Sequence, residues 1–204
     1  MTFDLYEEAL SRLYEAPLNP AEWSAFMDAF ARLVGAGGGT YHLWDVAQQR
    51  MEFAVMTRNF ETSEEEVEVY NTHIAPQDPR RLLVEAARPG TWVFDNQHFD
   101  RRFVSRSEAY QWLIPREIRY TAGVRLVGRS NLASAMGLFR ADGDTPFGGA
   151  EAFWLDRITP HIRRASQLHL ELGAVRVQAA LGIDAADSLD YPVMIVDEHA
   201  RILF

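Results

Sequence analysis

One long segment, from about residue 150 to residue 181, constrains the fold of this chain more than any other part. It contains EAFWLDRITPHIRRASQLHLELGAVRVQAAL, whose apolar residues recur three and four positions apart, as along one side of a helix. The segment is much longer than the average helix of about 11 residues. Because one small domain cannot cover so long an apolar stripe, the pattern favours a helix that pairs in a homodimer. The predicted seam is Leu155, Ile158, Ile162, Ala165, Leu168, Leu172 and Val175.

Pro160 interrupts this segment. We expect it to kink the helix or to mark a junction between two helices, because proline removes one backbone hydrogen bond. The alternative to dimerisation is a helix that packs only into the core of its own domain.

Alternating patterns before the long segment predict an antiparallel sheet. Residues 40–57 read as a hairpin with the polar turn AQQR, TWVFD as a short strand, and IRYTAGVRLVG and NLASAMGLFRA as two further strands. Ala133, Ala135 and Gly137 fall on one face of the last strand, where small side chains leave room. A packed helix is the ordinary occupant of such room, and a ligand is the alternative.

Capping signals predict helices around these strands. Asn19 is the predicted cap of a helix that ends at GAGGG. Ser63 with Glu66, and Ser105 with Glu108, have the spacing of capping boxes. Helices at both ends of the chain and between the strands are typical of an α+β domain with a helix-flanked antiparallel sheet.

Composition excludes several classes of function. The formal net charge is −9 and the pI is about 5.1, so this segment as a whole repels a phosphate backbone and is not expected to bind DNA itself. The absence of cysteine excludes thiol nucleophiles, thiol redox switches and cysteine-held clusters. Neither a signal peptide nor an apolar run of membrane-spanning length is evident, which predicts a cytoplasmic protein.

The sequence offers no catalytic or metal-binding motif. Its six histidines are scattered without the spacing of metal ligands. Its glycine-rich stretches lack the strand-to-helix context and the lysine of a phosphate-binding loop, and no nucleophile elbow occurs. We therefore expect neither an enzyme nor a cofactor nor a metal site.

Aromatic residues on or beside the predicted sheet are the remaining signal. They can line an apolar cavity in which tyrosine hydroxyls and tryptophan indoles orient a ligand, or they can simply fill the core. These residues are Tyr41, Trp44, Phe53, Tyr70, Trp92, Trp112, Tyr120 and Phe139.

Two segments carry a resemblance to a known family. FWLDRITPHIRRASQLHLEL resembles a segment common in LuxR-type transcription regulators, and YPVMIVDEHARILF resembles the start of the PAS-like segment that follows it there. The resemblance implies a GAF/PAS-like sensor domain over residues 1–146, a dimerisation and signalling helix over 147–182, and the truncated start of a second PAS-like module over 183–204. It also implies an unknown small-molecule ligand and control of a C-terminal helix-turn-helix domain outside this chain.

The fold class expected from pattern and resemblance together is α+β, an α/β sandwich with about five antiparallel strands and a long C-terminal helix. A ligand-free structural dimerisation module is the alternative function.

A second resemblance concerns the acyl-homoserine-lactone receptors. Tyr70, Asp78, Pro79 and Trp92 stand in the order and near the spacing of that family's ligand-contacting residues. The resemblance implies that Asp78 accepts a bond from a ligand amide, while Tyr70 and Trp92 contact the acyl chain and lactone. The sequence departs from the pattern in RNFETSEEEVEVY, which lacks the tryptophan expected before the tyrosine, and an Asp before Pro is also an ordinary turn residue.

Overall fold

The computed structural model describes residues 2–45, 50–58, 63–129 and 132–187. Within them lie seven α-helices and five strands, and together they form the expected α+β fold. The helices are α1 (Thr2–Glu15), α2 (Glu22–Val34), α3 (Glu64–Val69), α4 (Pro79–Ala86), α5 (Arg101–Val104), α6 (Glu108–Leu113) and α7 (Gly149–Asp187). The strands are β1 (Gly38–Asp45), β2 (Arg50–Met56), β3 (Trp92–Phe94), β4 (Tyr120–Arg129) and β5 (Leu132–Arg140).

The five strands form one antiparallel sheet in the order β2-β1-β5-β4-β3. Strand alternation gives the sheet two different faces. On one face Tyr41, Val124 and Leu138 belong to the main hydrophobic core. The other face carries the small residues of β4 and β5, and it is there that the short helices α3, α4 and α6 lie.

Helices α1, α2 and α7 form the layer on the core face. The apolar side of α2 is fully buried through Trp23, Phe26 and Phe30, and Trp23 stacks on Tyr41 of β1 with ring centroids 4.1 Å apart. The helix ends where Gly35 adopts a φ of 63°, a left-handed conformation that glycine takes without strain. The stacking of Trp23 on Tyr41 fixes the helical layer against the sheet.

The seam residues of the long segment divide into two groups. Leu155, Ile158, Ile162 and Ala165 are almost completely buried in the protomer's own core, where α7 contacts α1, α2 and β4. A stripe expected to face a second copy therefore faces its own domain over these four residues, because α1 and α2 supply the cover. Leu168 and Val175, at 39% and 60% exposed, and the partly buried Leu172 stay accessible.

Pro160 lies inside a single helix, α7, so it does not mark a junction between two helices. That helix continues to Asp187, five residues beyond the predicted boundary at 182. The rest of the predicted PAS-like module, residues 188–204, lies outside the described residues. No helix in the described part of the chain combines the length and apolarity needed to cross a bilayer.

One predicted capping box is confirmed and the other is wrong. The Ser63 hydroxyl accepts from the Glu66 backbone N–H, and the Glu66 carboxylate accepts from the Ser63 N–H. Ser105 is not an N-cap, because it lies at the C-terminal end of α5, which begins after Asp100. The Asp100 carboxylate caps that helix by accepting from the Phe103 N–H. Helix α6 begins only after Ser107. Asn19 is not the cap of α2 either, because Ala21 occupies that position without a side-chain bond to the helix. The Asn19 side chain accepts from the Ala21 N–H in the turn before the helix.

Candidate functional site

A cavity of about 880 Å³ lies between the second face of the sheet and the helices α3, α4 and α6. Its sheet side is formed by residues of four adjacent strands, β2, β1, β5 and β4, and its other sides by the helices and the turns between them. The sheet contributes Thr40, His42 and Trp44 from β1, Ala133, Ala135 and Gly137 from β5, and Thr121, Gly123 and Arg125 from β4.

Small side chains in the centre of the sheet create this space. Ala135 pairs with His42 on one side and with Arg125 on the other, so two long side chains flank a methyl group. At Gly123 the space is taken by α4, because a Cβ there would lie 2.5 Å from Cγ2 of Val84. The room that the sequence predicted beside Ala133, Ala135 and Gly137 is therefore part of this cavity.

The roof is built around an irregular turn between α3 and α4. Tyr70–Ile74 forms a π-helical turn, and Ala75–Gln77 a 3-10 turn, before Asp78 caps α4 through the Arg80 N–H. A π-turn shifts the direction of the side chains that follow it, and such turns are frequent at functional sites. Here the turn brings Tyr70 and Asp78 to the same wall of the cavity.

Asp78 and Arg80 form a buried ion pair at that wall. Asp78 Oδ1 accepts from Arg80 Nε at 3.0 Å, and Oδ2 accepts from Arg80 Nη2 at 2.6 Å and from the Tyr70 hydroxyl at 2.9 Å. Arg80 Nη1 donates to Thr121 Oγ1 at 3.0 Å and so ties α4 to β4. Bidentate pairs of this kind are strong and directional.

The pair changes the protonation of its members. Burial alone would raise the pKa of Asp78, but Arg80 outweighs it and holds that pKa below its usual range. Burial and the neighbouring Asp78 raise the pKa of Tyr70. At neutral pH the carboxylate is therefore charged and the phenol is a neutral hydrogen-bond donor.

A second buried carboxylate continues this network. Thr121 N donates to Asp95 Oδ1 at 3.0 Å, and the Tyr110 hydroxyl donates to Asp95 Oδ2 at 2.7 Å. Burial raises the pKa of Asp95, although both hydrogen bonds oppose that rise. The connected polar groups link α4, β4 and α6 beside the cavity.

Two further arginines on the cavity wall are paired and stacked. Arg116 donates to the Glu66 carboxylate at 2.8 Å and lies 3.8 Å from the Trp112 ring centroid. Arg81 pairs with Glu85 at 2.6 Å and lies 4.5 Å from the ring centroid of Trp44. Cation–π contacts and ion pairs together hold these indoles in place at two edges of the cavity.

His42 makes the stability of this region depend on pH. Desolvation by burial, with a contribution from Arg81, lowers its pKa from 6.5 to about 4. Between these values the unfolded chain binds a proton that the folded chain does not, so folding becomes weaker as pH falls through this window. Protonation of this one group should lower the wild-type free energy of unfolding by about 3 kcal/mol between pH 7 and pH 4.

Urea denaturation at several pH values measures this effect. A His42→Gln variant lacks the titrating ring, so its stability should decline less steeply over the same window. Equal slopes for the two proteins would contradict a buried neutral His42.

The structure divides the nine predicted ligand residues between the two faces of the sheet. Five of them line the cavity: Trp44, Tyr70, Asp78, Trp112 and Phe139. Four lie on the core side, packed in or against the main core: Tyr41, Phe53, Trp92 and Tyr120.

Strand parity explains the four residues that lie away from the cavity. Tyr41 is next to His42 in β1, so its side chain has the opposite direction and stacks on Trp23. Trp92 donates from Nε1 to Thr159 Oγ1 of α7 at 2.8 Å, on the core side. The contact to a ligand that the second resemblance implied for Trp92 is therefore not available in this structure.

Several cavity residues were not singled out from the sequence. They are His42, Asn71, Arg80, Arg81, Arg116, Thr121 and Arg125. Arg125 and Thr121 could have been found from the strand pattern, because they alternate with the apolar residues of β4. Among the described residues, no group of three or more His, Asp or Glu side chains is placed to hold a metal ion.

Comparison with known proteins finds the same fold among solved structures. Neither a protein-family model nor a curated protein matches the sequence. Among solved structures, the N-acylhomoserine lactone dependent LuxR family transcription factor CepR2 from Burkholderia cenocepacia superposes with a TM-score of 0.62 at 18% identity, over 84% of this chain and 96% of that chain. The VqsR LBD domain from Pseudomonas aeruginosa gives a TM-score of 0.60 at 13% identity, over 81% of this chain and 96% of that chain.

Escherichia coli SdiA is also similar, with a TM-score of 0.51 at 13% identity, over 98% of this chain and 75% of that chain. At these identities the likeness shows a shared fold. The expected resemblance to the sensor region of LuxR-type regulators is confirmed at that level.

Proposed function

We propose that this chain is the ligand-sensing and dimerising region of a LuxR-type transcription regulator, and that it controls a DNA-binding domain outside these 204 residues. The observation that carries the proposal is the cavity of about 880 Å³ between the sheet and α3–α6, in a fold shared with CepR2 and the VqsR LBD domain. Cavities of this size are typical of small-molecule sites.

The chemistry of the wall suits binding better than catalysis. Its polar groups are mostly engaged with one another, as in the network from Tyr70 through Asp78 and Arg80 to Thr121. A catalytic site would instead aim a nucleophile or base at the bound molecule, with a third group to orient it. The remaining surface is apolar and aromatic, which fits a ligand with an apolar body.

Ligand binding can be coupled to α7 through the strands. The sheet that forms the floor of the cavity is bonded to α7 on its other face, by Trp92 to Thr159 and by Arg163 Nε to the Leu126 carbonyl at 3.1 Å. A ligand that fixes the strands in one arrangement would favour one position of α7. The coupling required is modest, about 1 to 3 kcal/mol.

The accessible end of α7 is the dimer contact in this proposal. Leu168, Leu172 and Val175 continue the apolar stripe beyond the residues buried in the core. Two copies that pair here would bring their C-terminal ends together. That geometry suits two DNA-binding domains on paired half-sites.

N-acylhomoserine lactones are the first compounds to test, because CepR2 depends on them. Asp78 is the residue that the resemblance assigns to the ligand amide. In this chain it already accepts four bonds, from Tyr70 and from three nitrogens of Arg80. An amide would have to displace one of these donors, so the test panel should also include fatty acids, their esters and aromatic acids.

Thermal melting tests the proposal. A ligand that binds only the folded chain should stabilise it by about 2.7 kcal/mol at a hundred times its Kd. A matched control is Ala135→Trp, which puts an indole into the middle of the cavity. This variant should fold but should lose the ligand-dependent rise in Tm.

Two results would contradict the proposal. One is the absence of any shift across the panel, which would favour the ligand-free dimerisation module. The other is an equal shift in Ala135→Trp, which would move the binding site away from this cavity.

A further inference from the structure

The charges on the cavity wall do not balance among the described residues. Arginine side chains and carboxylates both line it, and three of the arginines have a carboxylate partner in the ion pairs described above: Arg80 with Asp78, Arg81 with Glu85, and Arg116 with Glu66. The fourth is Arg125, in β4. For Arg125 the described part of the chain supplies no carboxylate within 4.0 Å, and its Nε is buried without a hydrogen-bond partner.

An unpaired guanidinium at this position is costly. Arginine stays charged in proteins, and a buried donor without an acceptor loses its bonds to water and gains none in return. Arg125 is held there by its backbone, because it pairs with Ala135 inside the sheet and its carbonyl accepts from the Gly90 N–H at 2.7 Å. A bound molecule that supplies an acceptor to Arg125 would offset this cost.

A second unused donor lies across the same part of the sheet. Trp44 Nε1 is buried and has no partner among the described residues, while the Trp44 ring is held by Arg81. In the strand register Trp44 pairs with Ala133, and Arg125 pairs with Ala135, two residues along β5. Strands about 4.8 Å apart, with only alanine side chains between these two donors, leave room for a small head group.

We propose that the cavity takes an organic acid: its carboxylate is bound by Arg125 with Trp44 as a second donor, and its apolar body extends towards Tyr70 and Trp112. This inference rests on the proposed function and adds the chemical class of the ligand. Two N–H donors and one positive charge match the two oxygens and single charge of a carboxylate, and guanidinium groups bind carboxylates with high directionality. The pairing of Asp78 with Arg80 leaves that end of the cavity without a free charge.

Matched pairs of compounds test this charge preference. Decanoic acid and methyl decanoate share one apolar body, and N-decanoyl-homoserine and its lactone share another; only the first member of each pair is an anion. Titration calorimetry on the wild-type chain should give an acid Kd at least about ten-fold lower than that of its neutral partner. Equal Kd values, or tighter binding of the ester and lactone, would overturn the inference.

Substitutions at Arg125 assign the preference to this residue. In Arg125→Met the acid Kd should rise to that of the neutral partner, while the Kd of the neutral partner stays unchanged. Arg125→Lys keeps the charge and should retain part of the preference, and Arg101→Met, on the exposed side of α5, should behave as wild type. An Arg125→Met variant that weakens acid and ester equally would also overturn the inference.

The outcomes separate this inference from the proposed function. If neutral compounds bind as well as acids, the acid preference fails and the sensor function stands. If all four matched compounds fail to bind while another member of the wider panel still raises Tm, the inference again fails alone. If no compound in either set binds, both fall together.

Discussion

Replacing Asp78 by alanine should lower the free energy of unfolding by about 3 to 5 kcal/mol, the cost typical of leaving one member of a buried ion pair alone. Asp78 is 1% exposed, and its two oxygens accept every bond that Arg80 makes to a carboxylate. Without it, the Arg80 guanidinium stays charged in a desolvated wall with Thr121 as its only hydrogen-bonded partner in the described residues. Urea denaturation followed by circular dichroism measures the loss.

The double variant Asp78→Ala with Arg80→Met is the control for this explanation. It removes both charges and keeps an apolar side chain of similar length, so it should recover most of the lost stability. A single variant that loses less than about 1 kcal/mol, or a double variant as unstable as the single one, would show that the pair is not the cause.

Replacing Ile162 by aspartate should unfold the protomer rather than only dissociate a dimer. Ile162 has 0% exposure in the main core, so the variant removes a buried apolar side chain and puts an unpaired charge in its place. The expected loss is at least about 4 kcal/mol, a large part of the stability of an ordinary domain. The measurement is the far-ultraviolet circular dichroism signal together with its thermal transition.

Val175→Asp is the matched control on the same helix. Val175 is 60% exposed, so its substitution should change the stability of the protomer by no more than about 0.5 kcal/mol. If the accessible end of α7 is the dimer contact, light scattering should nevertheless show a lower mass for this variant. A folded, monomeric Ile162→Asp protein would contradict the core assignment of Ile162.

The strands could be predicted from the sequence because each depends on a local pattern. Residues 40–57 alternate and carry a polar turn, and the structure places β1 and β2 there. Ala133, Ala135 and Gly137 share one face because side chains alternate strictly along a strand. The sequence therefore indicated the cavity through a row of small residues on one side of β5.

The sequence did not predict which aromatic residues belong to that cavity, because this depends on which face each strand turns towards the helices. Tyr41 and Trp44 are three positions apart in β1 and therefore point to opposite faces. Grouping all aromatic residues near the sheet mixed the two faces. The packing of α2 determines which face of β1 is buried in the core, because its Trp23 stacks on Tyr41. Such long-range packing leaves no local pattern in the sequence.

The long apolar stripe shows the same limit. Its spacing correctly predicted a helix, and α7 extends over the whole segment. What covers the stripe depends on α1 and α2, more than a hundred residues earlier in the chain. Their packing buries Leu155 and Ile158 and leaves Val175 accessible.

The polar network was only partly predictable. Asp78 before Pro79 is a turn and capping residue from local sequence, and it does cap α4. Its bidentate bonds to Arg80 and the link to Thr121 need β4 to lie against α4, which depends on Gly123 and its contact with Val84.

A crystal structure of this chain with the tightest-binding compound of the panel would show where that compound binds. We expect electron density for that compound between the sheet and α3–α6, with its polar end at Arg125 and its body against Tyr70 and Trp112. Density at any other place, such as the open groove beside Pro79 and Phe103, with the cavity unchanged, would contradict that expectation.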